Sequence, residues 1–278
     1  MSSTTKHDVG ERYWRDGYAF PLTAMSPADA LGYREALEAY EVTIGGPILS
    51  NMRHQTQFLF TWANELVRNA AVLDAVEAVL GPDILCWSTN FFIKEPQDDG
   101  FVSWHQDATY WGLEPHDSIC TAWIALSDVP LASGPMKFLA GSHTTGQLAH
   151  VDTYDENNLL TRGQEVALEV DESKATDVVL RAGEFSLHHV LLAHGSHPNV
   201  TDDRRIGLAA RYIPTSAKQT KLRDTAMLVR GVDAYNHFDL MPDPIASMDA
   251  SARAIHADAT QRLVAAVYSG TDRQEMRP

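Results

Sequence analysis

Two periods of apolar positions divide this chain. Residues 26–40 open with Ser26-Pro27-Ala28-Asp29, an N-cap followed by proline at the first helical position, and Leu31, Ala36 and Leu37 supply a stripe for burial. Over 64–80, Leu66, Val67, Ala70, Leu73, Val76 and Leu80 repeat at helical spacing and stop at Gly81-Pro82. Both segments read as scaffold helices. From Ile84 the period shortens. Residues 84–94 are too polar on one face for a buried helix and suit a strand ended by Glu95-Pro96. Alternation and short apolar runs predict further strands over 119–126, 136–139, 178–180, 184–193 and 205–213.

Short strands divided by Gly, Pro and Asp turns predict a mainly β protein with added helices, whose core is a double-stranded β-helix, the cupin-like jelly roll. The expected organisation is one domain over 1–278. It comprises a helical scaffold (1–83), a jelly-roll core (84–215) and a C-terminal extension (216–278) with helical pieces over 246–267. Residues 149–174 read as an acidic, poorly periodic insertion, the kind of segment that becomes a lid.

Composition narrows the class. With 278 residues and 44% apolar content the chain has material for a sizeable core, yet no apolar run approaches a membrane span. The start, MSSTTKHDVGERYW, lacks the apolar stretch of a secretory signal. Two cysteines, Cys86 and Cys120, argue against a disulfide framework and for a reducing cytoplasm. A formal charge of −15 opposes nonspecific binding to nucleic acid or anionic membranes. A local Arg or Lys can still override that average for a small anion. Oligomeric state is left open.

The candidate chemistry sits in Trp104-His105-Gln106-Asp107 and His194-Gly195-Ser196. A strand places alternate side chains on one face, so His105 and Asp107 reach one metal, and His194 completes a two-His, one-carboxylate face. That is the ligand set of non-haem Fe(II) oxygenases. Arg205, eleven residues beyond His194, returns on a neighbouring strand to grip a carboxylate.

These motifs, with Thr121-Ala122-Trp123 and Gly141-Ser142-His143, resemble the phytanoyl-CoA dioxygenase family of Fe(II)/2-oxoglutarate-dependent oxygenases. The resemblance implies a jelly-roll core, iron held by His105, Asp107 and His194, and 2-oxoglutarate anchored by Arg205 with Ser196 and Trp123 nearby. Three ligands on one octahedral face leave two positions for the 2-oxo acid and one for O2, the second cosubstrate. The family's chemistry releases succinate and CO2 and hydroxylates an unactivated C–H bond. Related halogenases carry Ala or Gly at the carboxylate position; Asp107 here favours hydroxylation over halogenation.

The remaining candidates carry competing readings. Arg204 competes with Arg205, but period two lets only one point inward, and the family spacing selects Arg205 and leaves Arg204 at solvent near Asp202 and Asp203. His188 shares the parity of His194 if that strand is unbroken, against a packed role. Asn90 offers an amide to substrate or cosubstrate, against a bond to a neighbouring strand. Tyr110 and Trp111 wall the pocket, against aromatic core packing. Arg211 pairs with an anionic substrate, against a structural carboxylate. Lys94 is read as an exposed strand end, and His116, His143, His150 and His197 as loop residues without a role. The acidic balance and the absence of a basic cluster favour a small polar metabolite or natural-product intermediate over a CoA thioester. The alternatives are an acyl-CoA hydroxylase and a non-catalytic jelly roll that binds a metal or ligand.

Overall fold

The computed structural model describes residues 6–160, 163–167 and 170–269. Residues 161, 162, 168 and 169 of the predicted insertion, and 270–278 of the predicted extension, lie outside the described residues. The helices are α1 (Lys6–Asp16), α2 (Pro27–Ile44), α3 (Thr61–Val67), α4 (Ala70–Leu80) and α5 (Ala250–Val267). The strands run β1 (Tyr18–Thr23), β2 (Ile84–Lys94), β3 (Val102–His105), β4 (Leu113–Glu114), β5 (Cys120–Ala125), β6 (Met136–Phe138), β7 (His150–Asp152) and β8 (Gln164–Val166). They continue as β9 (Thr176–Asp177), β10 (Glu184–His189), β11 (His194–Ser196), β12 (Arg205–Pro214), β13 (Lys218–Gln219), β14 (Thr225–Arg230) and β15 (Asp239–Leu240).

The major sheet has the order β1-β10-β5-β12-β2-β14-β15, and the minor sheet β3-β11-β6-β9. Together they give the mainly β, jelly-roll architecture expected from the pattern, as two separate sheets rather than a closed barrel. Along β12 the period of two is explicit. Ile206, Leu208, Ala210 and Tyr212 join the core shared with the helices, which includes Tyr13, Leu37, Leu66, Val72 and Val76. Arg205, Ala209 and Arg211 instead line a cavity on the other face. Trp123, Phe138 and Leu192 form a smaller core between the sheets. Among the described residues no helix is long and apolar enough to cross a membrane.

Several expectations change. The helix over 64–80 is two helices, because Asn69 Oδ1 accepts from the backbone N–H of Ala71 (3.0 Å) and Val72 (3.2 Å) and so starts α4 afresh. Ser26 caps α2 as expected, accepting from Asp29 N. The buried side of α2, however, is Ala30, Leu37 and Glu41, and Leu31 is 48% exposed. The strand over 178–180 is replaced by β9, with Leu180 in an isolated bridge to Val129. The run over 184–193 breaks after His189 and turns before β11. The major sheet also recruits β1 and β14 from the two flanks of the predicted core. The insertion holds the β7–β8 hairpin.

Candidate functional site

His105 and His194 are directly opposed residues of β3 and β11, which brings their rings to 4.1 Å between centroids. β3 ends at His105, so Asp107 is not on the strand; it begins a 3-10 turn over Asp107–Tyr110. The corner between them is held by Gln106. Its backbone N–H donates to His150 Nε2 (2.9 Å), and its side-chain amide donates to Leu191 O (2.7 Å) and Gly146 O (3.0 Å). Asp107 Oδ1 thereby returns to 3.4 Å from His105 Nε2. One ligand atom from each of His105, Asp107 and His194 lies within 4.8 Å of the others, and all three residues are buried.

The donor set fits a divalent metal. His105 Nδ1 donates to Ser103 O (2.9 Å) and His194 Nδ1 to Leu192 O (2.8 Å), which fixes both neutral tautomers with Nε2 bare. Burial, reinforced by His105, pushes the His194 imidazole well below its ordinary range and keeps it neutral. Burial alone would raise the Asp107 carboxyl; the side chains of His105 and His188 beside it, then the Arg211 charge, hold it well below the carboxylate range. His188, on the broken strand, still reaches the site, its Nε2 3.6 Å from Asp107 Oδ2. Thr121 donates to the same oxygen at 3.3 Å.

Trp123, Ser196, Arg205 and Arg211 line one cavity with the three metal-type donors. The Arg205 guanidinium lies 5.2 Å from the Trp123 ring centroid. Gly207 makes room for that indole, since a Cβ there would fall 1.9 Å from Trp123 Cζ2. Arg205 is fully buried and its Nε lacks a partner among the described residues; burial pushes it down to about 10. Arg204 does not face solvent. It shares the helix-facing parity of Ile206 and pairs with Glu41 (2.7 Å) of α2 and with Glu95 (2.8 Å). Lys94 is not an exposed strand end either. Paired in register with Arg205, it is fully buried.

Asn90, Tyr110, Trp111 and Arg211 line an adjoining cavity that meets the first at Asp107, with an empty volume of about 630 Å³ including its open mouth. Arg211 lies 5.1 Å from the Trp111 ring centroid, and Trp111 packs beside Trp87. Asn90 Oδ1 and Arg211 Nε are buried without hydrogen-bond partners among the described residues. The strand-to-strand bond and the structural carboxylate set against them therefore do not use these atoms. Tyr110 donates to Asp152 Oδ1 of β7 (2.7 Å), which ties the insertion to the cavity wall. The residues missed at the sequence level are Lys94, Gly207 and Thr121. Lys94 and Gly207 were legible by parity, because both alternate with residues already placed inside.

The model of the family described as phytanoyl-CoA dioxygenase (PhyH) matches residues 15–207, more than half of the chain. A probable alpha-ketoglutarate-dependent hypophosphite dioxygenase of Stutzerimonas stutzeri is 31% identical over 163 residues, 57% of this chain and 55% of that protein. The matches span about half the length of such curated relatives. Among solved structures, the non-heme monooxygenase ThoJ in its apo form is 36% identical, with TM-score 0.83 over 92% of this chain and 96% of that one. CytC3 with Fe(II) and alpha-ketoglutarate, 21% identical with TM-score 0.62 over 90% of this chain and 96% of that one, shares the fold. The convergence of two imidazoles and a carboxylate between facing sheets thus coincides with the family match, and the chain belongs to the phytanoyl-CoA dioxygenase family.

Proposed function

We propose that this chain is a non-haem Fe(II)- and 2-oxoglutarate-dependent dioxygenase that hydroxylates a C–H bond of a small polar metabolite or natural-product intermediate, with release of succinate and CO2. The observation that carries the reading is the buried triad of His105, Asp107 and His194, with both imidazoles locked to leave Nε2 free for a metal. When bound, Fe(II) supplies O2 activation, with 2-oxoglutarate as the source of electrons.

In this reading His105, Asp107 and His194 hold the metal, and the depressed Asp107 carboxyl stays ionised to offset its charge. Arg205, braced by Trp123 and joined by Ser196, holds the far carboxylate of the dicarboxylic acid. Burial of the triad excludes bulk water from the reacting centre.

The substrate occupies the adjoining cavity, where the unpartnered Arg211 Nε suits an anionic group and Asn90 Oδ1 suits an N–H or O–H donor. Tyr110 and Trp111 form the wall. Succinate formation across amino acids, aminophosphonates, natural-product intermediates and acyl-CoA esters tests this: stimulation by a compact polar compound is expected. Consumption of 2-oxoglutarate with acyl-CoA esters alone would overturn the substrate class. Arg211→Leu should raise KM for the polar substrate more than it raises KM for 2-oxoglutarate.

A further inference from the structure

Lys94 ends β2 inside the protein, where the ammonium is surrounded by oxygens and not by carboxylates. Its Nζ donates to Ser196 Oγ (2.8 Å), lies 3.4 Å from Gly134 O and is bonded to His197 O. Arg205 donates to the same Gly134 carbonyl at 3.0 Å. Gly134 is required at this crossing: its φ is +66°, and a Cβ there would fall 2.1 Å from His197 O. Two buried cations therefore share one carbonyl. Among the described residues neither makes an ion pair.

The direction of the Lys94–Ser196 bond matters. An ammonium only donates, so Ser196 Oγ is the acceptor and its own proton must point elsewhere. Ser196 lines the cavity beside Arg205, and among the described residues its hydroxyl finds no acceptor. That leaves an O–H donor and an unpartnered Arg205 Nε on one cavity floor.

We infer that Lys94 is a positioning residue for the dicarboxylic cosubstrate: by occupying a lone pair of Ser196 it turns the hydroxyl proton into the cavity, so that Ser196 donates to the carboxylate held by Arg205. The inference rests on the assignment of Arg205 and Ser196 to 2-oxoglutarate. Lys94 itself touches neither cosubstrate nor metal. Burial, then Arg205, push its ammonium down to about 6 with no anion beside the pair; a carboxylate bound at Arg205 opposes that shift, so the ammonium form that donates to Ser196 belongs to the cosubstrate-bound state.

The test is a double-mutant cycle on the Fe(II)-loaded protein without oxygen, read as the Kd of 2-oxoglutarate and, in parallel, of pyruvate. Pyruvate keeps the chelating 2-oxo acid and lacks the far carboxylate. Lys94→Met should weaken 2-oxoglutarate roughly ten-fold, the scale of one hydrogen bond to a charged group, and leave pyruvate unchanged. Ser196→Ala should weaken it similarly, and the double variant should lose little more than either single one. Lys94→Gln, which keeps an amide donor, should recover part of the loss and provides a second variant should Lys94→Met not fold. Additive losses, an unchanged Lys94→Met, or equal weakening of pyruvate would each overturn the role of Lys94. If Ser196→Ala leaves 2-oxoglutarate binding intact, the underlying assignment of Ser196 fails, and the inference falls with it.

Discussion

Small geometric facts at single residues decide most of the candidate site. Asp107 lies two residues past the end of β3, at the start of the 3-10 turn, and its carboxylate is shared among His105, His188 and Thr121. Asp107→Ala should exceed the roughly 10–100-fold loss typical of removing an outer-shell partner, which is the loss expected for His188→Ala. Iron content and turnover measured side by side check both; full activity of Asp107→Ala would refute the ligand assignment. Gly207 is the quieter case. Its Cβ would overlap the Trp123 indole, so Gly207→Ala should displace the ring that braces Arg205. Overpacking of this kind costs about 1–3 kcal/mol, and weakened 2-oxoglutarate binding should accompany the lower Tm. Unchanged affinity would show that Trp123 does not shape the cosubstrate site.

At the scale of elements, what the sequence disclosed and what it hid have the same origin. Period two placed Asn90 inside the roll and set Arg205 and Arg211 on one face, and the structure agrees. The same parity puts Lys94 inside, but a lysine before Glu95-Pro96 carries the local signature of a solvent-exposed strand end. Buried polar partners, here Ser196 and the carbonyls of His197 and Gly134, are contributed by segments 102, 103 and 40 residues away and leave no local trace. Arg204 was misread for the same reason, since its partner Glu41 lies on a distant helix. The break between α3 and α4 was local and readable: Asn69 is a good N-cap inside an otherwise helical pattern. Asn69→Ala should remove about 1 kcal/mol and lower Tm by roughly 2–4 °C. A thermal unfolding curve superimposable on that of the unmutated protein would contradict the capping account.

For the molecule as a whole, the acidic average hides a cationic interior. The chain carries a formal charge of −15, yet Lys94, Arg205 and Arg211 are gathered within the roll around the two adjoining cavities. The fold class was legible because many short strands with turn residues leave few architectures. The flanking strands β1 and β14 were not, because they lie within stretches dominated by helical or irregular signals. The triad was legible because three residue types in a fixed order point to one chemistry, whereas the walls of the proposed substrate cavity are drawn from β2, the 3-10 turn, the insertion and α5, which no single motif links.

The account stands on one ferrous ion held by His105, Asp107 and His194 with a chelated 2-oxo acid beside it. Anaerobic titration of the protein with Fe(II) and then 2-oxoglutarate measures this directly. The prediction is a weak visible charge-transfer band that saturates at one iron per chain, requires 2-oxoglutarate and is lost in His194→Ala. Iron bound with no such band, or a band undiminished in His194→Ala, would contradict it.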